Sequence, residues 1–209
     1  MPDPPEMGTG TYEARLRREC CMGWIWTTVP MKREDLMREY VPAEGWDSEI
    51  GRVRFEPRKW VADGCWGVVT ATNAAGVVVL RVVAIVVCKQ DRNGTAGYKG
   101  ICTECDGPYY DGCPASLVRE VVPIYEGGDG GKYAREFRAR VLEADAAKAR
   151  LRERLVPGAV LRLPEGCKPG SLRVVGRENR SVIGLDDDGR RFRVGPALLA
   201  RCTVEGGVA

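Results

Sequence analysis

The 209-residue chain contains no histidine. Imidazole is the usual general base of Ser–His–Asp and Cys–His enzymes and a common ligand of zinc. Its absence excludes those catalytic arrangements and every metal site that needs imidazole. No paired carboxylates stand in a recognisable catalytic setting either, so we expect a binding protein more than an enzyme. The rival interpretation is a thiol or carboxylate enzyme that uses Cys105, Cys113 or Glu104.

Long apolar segments are also missing. The longest apolar run, residues 77–88, contains Arg81 and is shorter than the roughly 20 residues of a membrane-spanning helix. The first residues lack the charged and then apolar pattern of a signal peptide. Hydrophobic residues make up 44% of the chain and charged residues 29%, as in ordinary globular proteins. We therefore expect a cytoplasmic protein that binds no membrane.

The chain lacks an intact phosphate-binding loop. The segment EGGDGGKY (126–133) has glutamate at the first glycine position and Tyr133 where a magnesium-binding hydroxyl is needed. The segment DDDG (186–189) lacks the spacing of a calcium loop and predicts a hairpin turn instead. Nucleotide and calcium binding at these two segments are therefore not expected.

Cysteine, by contrast, is abundant, with nine residues. Cys102-x-x-Cys105 has the spacing of a zinc-binding pair, and Cys113 supplies a third thiolate, so a fourth ligand would be a distant cysteine, Asp106 or Asp111. A strong zinc pattern has two such pairs, and a redox Cys-x-x-Cys normally opens a helix, whereas this one is predicted in a loop. We expect a loop of partly buried, inert thiols and no cofactor, with zinc as the alternative.

Hydrophobic periodicity predicts an α+β domain over residues 21–155, after a flexible lead-in at 1–20. Two β-branched runs flank the turn at 73–76, which indicates a long hairpin at the centre of an antiparallel sheet. A strand is predicted around Trp24 and Trp26, whose side chains would stack on nucleic-acid bases if exposed, and form core if buried. The remaining expected elements are a helix from Met31, a strand interrupted at Pro57, and helices over 115–122 and 132–155. The last helix has an apolar stripe that includes Tyr133 and Phe137, which predicts core packing.

From residue 156 the pattern changes to short alternating strands joined by Gly, Pro and Asp turns. This predicts a small SH3-like β-barrel over residues 156–209. The fold class is therefore α+β, an antiparallel sheet with flanking helices followed by the barrel.

Positive charge is concentrated in the predicted barrel. It holds nine Lys and Arg against six Asp and Glu, which leaves 23 of each sign in the rest of the chain. If the strands pair as expected, several of the arginines share one side of the barrel, where they would contact nucleic-acid phosphates. The candidate residues are Arg173, Arg177, Arg190, Arg191 and Arg193. The competing interpretation is a solvated surface, since acidic residues alternate with the arginines.

Several short motifs resemble an uncharacterised family of small proteins carried by phages, plasmids and other bacterial mobile elements. They are Met22-Gly23-Trp24, Gly97-Tyr98-Lys99, Gly107-Pro108, Cys113-Pro114 and the helical segment from Tyr133 to Arg138. Among the three clustered cysteines only Cys113 belongs to the family pattern, so the resemblance argues against a family-wide zinc site.

The resemblance implies no known activity, but it implies a genomic context in which accessory proteins act on host nucleic acid or defence proteins. We therefore predict a non-enzymatic accessory protein that binds host nucleic acid or a nucleoprotein and inhibits a bacterial defence system. The alternative is a pure protein–protein inhibitor.

Overall fold

The computed structural model describes residues 23–48, 50–106, 110–125 and 129–205. They form two antiparallel sheets with flanking helices, which confirms the predicted α+β class, and one sheet is curled into a half-barrel. The chain divides into two compact units, Met1–Leu142 (unit 1) and Glu143–Ala209 (unit 2). Helices within the described ranges are all too short or too polar to cross a membrane. The predicted lead-in at 1–20 lies outside the described residues.

Unit 1 is built on a six-stranded sheet with the order β1-β6-β5-β4-β3-β2. The strands are β1 (Ile25–Trp26), β2 (Trp46–Ser48), β3 (Gly51–Val61), β4 (Gly64–Thr72), β5 (Val78–Gln90) and β6 (Ala96–Thr103). The predicted central hairpin is confirmed, since β4 and β5 pair along their length. Its turn is fixed by the Asn73 side chain, whose Oδ1 accepts the backbone N–H groups of Ala75 and Val77 at 3.0 Å each.

The two faces of this sheet bury separate hydrophobic clusters, because successive strand residues point to opposite faces. Helix α1 (Arg33–Tyr40) contributes Met37 to one cluster, which also contains Phe55 and Val82. Helices α2 (Ala115–Glu120) and α3 (Asp129–Arg154) cover the other. There Phe137 stacks on Trp66 with ring centroids 5.7 Å apart.

Three expectations about unit 1 need correction. Strand β3 runs through Pro57, and its pairing with β4 is irregular there rather than interrupted, with a register shift between Pro57 and Lys59. Strand β1 is only two residues long. The predicted apolar stripe of α3 includes Tyr133, which is exposed, whereas its neighbour Ala134 is buried.

Unit 2 contains a five-stranded antiparallel sheet with the order β10-β9-β8-β7-β11. Its elements are β7 (Val160–Arg162), β8 (Ser171–Glu178), β9 (Ser181–Leu185), β10 (Arg191–Val194), the one-turn helix α4 (Pro196–Leu199) and β11 (Thr203–Glu205). Inward-facing Leu161, Leu172, Val182 and Val194 form its core together with Leu155 near the end of α3. The strands are short and alternate as predicted. The SH3-like barrel itself stays a prediction.

Candidate nucleic-acid interface

The outer face of the unit 2 sheet brings arginines from two strands together. Arg173 on β8 and Arg191 on β10 are both paired with Leu185 of the intervening strand β9. Residues directly opposite one another in an antiparallel pair point to the same face. Arg173, Leu185 and Arg191 therefore form one row, and both arginines are exposed.

A neighbouring row adds a third arginine. Arg193 pairs with Ile183, which lies two residues from Leu185 on β9 and therefore on the same face. Val175, two residues after Arg173, is 44% exposed. The outer face, defined here by Arg173, Arg191 and Arg193, thus combines three guanidinium groups with apolar side chains between them.

The two other predicted arginines do not lie on this outer face. A bulge between Val174 and Gly176 shifts the β8 register, so Arg177 lies opposite Val182, a residue of the inner core. Arg190 lies in the turn between β9 and β10, where its Nη2 is 2.7 Å from Asp188 Oδ2. The register therefore places three of the five candidate arginines on the outer face.

Acidic partners neutralise part of the charge on the face. Arg191 forms an ion pair with Glu178. At the far edge, Arg162 pairs with Glu205 at 2.9 Å. Among the described residues, neither Arg173 nor Arg193 has an acidic partner within ion-pair distance, and these two guanidinium groups carry the unneutralised positive charge of the face.

The predicted motif loop is divided between a strand and a helix start. Gly97, Tyr98 and Lys99 lie in β6, where Tyr98 stacks on Tyr40 with ring centroids 4.6 Å apart. Pro114 precedes the first residue of α2, and its carbonyl accepts the N–H of Leu117 at 3.1 Å. Gly107 and Pro108 lie outside the described residues.

The three clustered cysteines occupy different environments. Cys102 lies in β6, not in a loop, and is disulfide-bonded, so it is not the free thiol that we expected. Cys105 is buried and is not disulfide-bonded. Burial raises the pKa of the partly buried Cys113 thiol to about 12, and the neighbouring Glu104 carboxylate acts in the same direction. No three Cys, Asp or Glu side chains among the described residues are grouped to hold a metal ion, so Cys102, Cys105 and Cys113 form no such site in this structure.

A buried ion pair that was not predicted from the sequence lies beside these cysteines. The Glu104 carboxylate is fully buried, and it accepts Arg138 Nε at 2.5 Å and Arg138 Nη2 at 2.8 Å. The Val83 N–H also donates to Glu104 Oε1 at 3.0 Å. An acidic residue between two cysteines at the end of an apolar strand was the available signal, since a carboxylate at such a position needs a buried cation.

A scan against models of protein families and searches of curated proteins and solved structures find no match to this chain. The resemblance to mobile-element proteins therefore stays a prediction.

Proposed function

We propose that this protein is a non-enzymatic binding protein whose unit 2 contacts the phosphate backbone of a nucleic acid. The observation that supports the proposal is the register of β8, β9 and β10, which aligns Arg173, Arg191 and Arg193 on the outer face. Arginine suits this role because its planar guanidinium donates two parallel hydrogen bonds to a phosphate.

The spacing of the face is compatible with contacts to several phosphates. Neighbouring strands lie about 4.8 Å apart, so the backbones of Arg173 and Arg191, two strands apart, are separated by roughly 10 Å. Flexible arginine side chains add several ångströms of reach on each side. Contacts of this kind position a protein on the backbone without reading base sequence. We therefore propose binding with little sequence preference.

The strand order of unit 2 supports an SH3-like barrel as its finer architecture. The fifth strand, β11, lies beside the first, β7, and the helical turn α4 separates the fourth strand from the fifth. In the wider proposal the nucleic acid or nucleoprotein belongs to a bacterial host, and the protein is an accessory factor of a mobile element that inhibits host defence. Only the sequence resemblance supports that context.

A second candidate function is binding of an acidic protein surface. Exposed Val175 and partly exposed Leu185 lie among the arginines. An apolar centre with a charged rim is typical of protein–protein interfaces. This candidate predicts a protein partner that binds through the same face and stays bound after nuclease treatment.

The test is fluorescence anisotropy with a labelled DNA duplex, titrated at several salt concentrations between 50 and 200 mM. For each phosphate neutralised, log K should fall with a slope of about −0.9 against log salt. The Arg173→Ala/Arg193→Ala variant should bind more weakly and reduce the magnitude of this slope by about 2. Arg177→Ala is the matched control, because it removes a positive charge from the same strand but not from the outer face.

Two results would contradict the proposal. One is wild-type protein that binds neither duplex nor single-stranded nucleic acid at low salt. The other is a double variant whose affinity and salt slope equal those of wild type. The second candidate function would be established instead if wild type recovers the same host protein before and after nuclease treatment and the double variant does not recover it.

A further inference from the structure

Two tryptophans at the edge of the unit 1 sheet form a continuous aromatic surface. Trp24 and Trp26 lie two residues apart at strand β1 and therefore on the same side of it. Their ring centroids are 5.5 Å apart with an interplanar angle of 30°. Trp26 is 45% exposed although it is one of the largest apolar side chains. We call this pair the indole platform.

One side of the platform is fixed against the sheet. Trp26 pairs with Gly97 of β6, and a Cβ added at Gly97 would lie 2.9 Å from two atoms of the Trp26 ring. Only glycine therefore lets the indole lie flat on the strand. The next residue anchors β1, since the Thr27 N–H donates to Ala96 O at 2.9 Å and Thr27 Oγ1 accepts the Ala96 N–H at 3.0 Å. The exposed part of the ring is consequently held in place before any ligand arrives.

A lysine completes the same row of the sheet. Lys89 pairs with Gly97 on the side opposite Trp26, so the row reads Trp26, Gly97, Lys89. The Lys89 ammonium lies 5.4 Å from the Trp24 ring centroid and 2.9 Å from Asp63 Oδ1. Its position combines a cation with a flat aromatic surface, the two features that bind single-stranded nucleic acids.

We propose that the indole platform stacks an unpaired nucleobase, with Lys89 beside the phosphate of the same strand. The resident ammonium decides against a methylated lysine or another cationic ligand, because such a ligand would meet a positive charge at the ring. A base is flat and is followed by an anionic phosphate, so it complements both features. A duplex does not present its base faces, and the site therefore selects single strands or flipped bases.

This inference does not rest on the arginine outer face, which belongs to the other unit. The two sites are distinguishable because each is removed by its own substitutions. Stacking on an aromatic side chain changes affinity by about 5- to 150-fold per base on alanine substitution. The arginine face contributes mainly through phosphates and the salt slope.

The experiment measures binding of a fluorescein-labelled single-stranded oligothymidylate to the full chain. It is compared with an abasic oligomer of equal length, which keeps the phosphates and lacks the bases. Trp26→Ala should weaken binding to the oligothymidylate by about 5- to 150-fold, while Trp26→Phe should retain most of the affinity. Val29→Ala is the matched control, because it truncates another exposed apolar residue close to β1. Each measurement is repeated with Arg173→Ala/Arg193→Ala as background.

The platform is supported if the Arg173→Ala/Arg193→Ala protein still binds the oligothymidylate more tightly than the abasic oligomer, and if Trp26→Ala abolishes this difference. That result would stand even if the arginine face fails its own test. The inference is wrong if the abasic oligomer binds as tightly as the oligothymidylate. It is also wrong if Trp26→Ala and wild type bind the oligothymidylate equally, or if a trimethyllysine peptide binds the platform in place of the oligomer.

Discussion

The buried Glu104–Arg138 pair gives the sharpest prediction about stability. One guanidinium joins three elements, because Arg138 on α3 donates to Glu104 just after β6, and its Nη1 donates to Val118 O at 2.9 Å and Val121 O at 2.8 Å. These two carbonyls belong to the end of α2 and the residue after it. Replacing Arg138 with Met keeps most of the side-chain length and removes every one of these donors.

The expected loss follows from the charge that stays behind. In Arg138→Met the Glu104 carboxylate is still fully buried, and within the part of the chain that the structure describes only the Val83 N–H is left to donate a hydrogen bond to it. Removing one partner of a buried ion pair typically costs about 3–5 kcal/mol. With a denaturant slope of about 2 kcal/mol per molar urea, a loss of about 4 kcal/mol lowers the unfolding midpoint by roughly 2 M.

Tryptophan fluorescence is the suitable probe for this transition. All five tryptophans of the chain (Trp24, Trp26, Trp46, Trp60 and Trp66) lie in unit 1, so their emission follows the unit that contains the pair. Arg38→Met is the matched control, because Arg38 pairs with Asp35 on the exposed surface of α1. Exposed pairs of this kind contribute at most about 1 kcal/mol.

Two outcomes would refute the assignment of a structural role. One is an Arg138→Met midpoint within about 0.5 M of wild type, which corresponds to about 1 kcal/mol. The other is additivity in the Glu104→Leu/Arg138→Met variant. If the two side chains interact directly, the double variant loses less stability than the two single variants together, because no uncompensated charge remains.

Three further predictions concern the core and the thiols. Burial raises the pKa of the Cys88 thiol from 9.0 to about 12, so between these pH values the folded state keeps the proton and the unfolded state loses it. The free energy of unfolding should therefore fall by up to about 1.4 kcal/mol per pH unit from pH 9 towards pH 12. Urea titrations of Cys88→Ala should show a weaker dependence of this free energy on pH. Cys113 should react with iodoacetamide at pH 8 far more slowly in native than in unfolded protein, and equal rates would show that its thiol is not held neutral. Gly67→Ala should destabilise unit 1 by about 1–3 kcal/mol, because the added Cβ would lie 2.1 Å from Glu56 O. Gly176→Ala in unit 2 is the control, since its Cβ meets nothing within 4 Å and the substitution should be nearly neutral. Thermal unfolding measures both effects.

The central hairpin was predictable because the strand propensity of β4 and β5 and the turn residues between them favour the same structure. Their β-branched residues favour strands, and Asn73 supplies the turn between them. Strand β6 was not predictable, because Gly97 and Gly100 resemble loop residues when only the sequence is considered. Pairing with β5 overrides that local preference, and at Gly97 the missing side chain makes room for Trp26.

Membership of the arginine face could be predicted only in part. Simple alternation places Arg173 and Arg177 on the same side of β8, because they are four residues apart. The bulge after Val174 inserts one residue and turns Arg177 to the other side. The signal for it in the sequence is Gly176, because an isolated glycine within a strand often marks a bulge. Arg191 and Arg193 lie on a regular strand, where simple alternation places residues two apart on the same side.

Two of the side chains that favoured an enzyme, Cys113 and Glu104, lie in surroundings that suppress their reactivity. The Cys113 thiol has a pKa near 12 and is therefore almost entirely protonated at neutral pH, where a nucleophile would need the thiolate. The Glu104 carboxylate is fully buried, and both its oxygens accept hydrogen bonds from Arg138, so neither oxygen is exposed to a substrate. Arg173, Arg193 and Trp26, in contrast, are exposed and fixed on strands. Pre-organised and solvent-accessible side chains favour recognition of a ligand. In the two proposals Arg173 and Arg193 contact phosphates and Trp26 stacks on a base, and phosphate and base are the two parts of one class of partner.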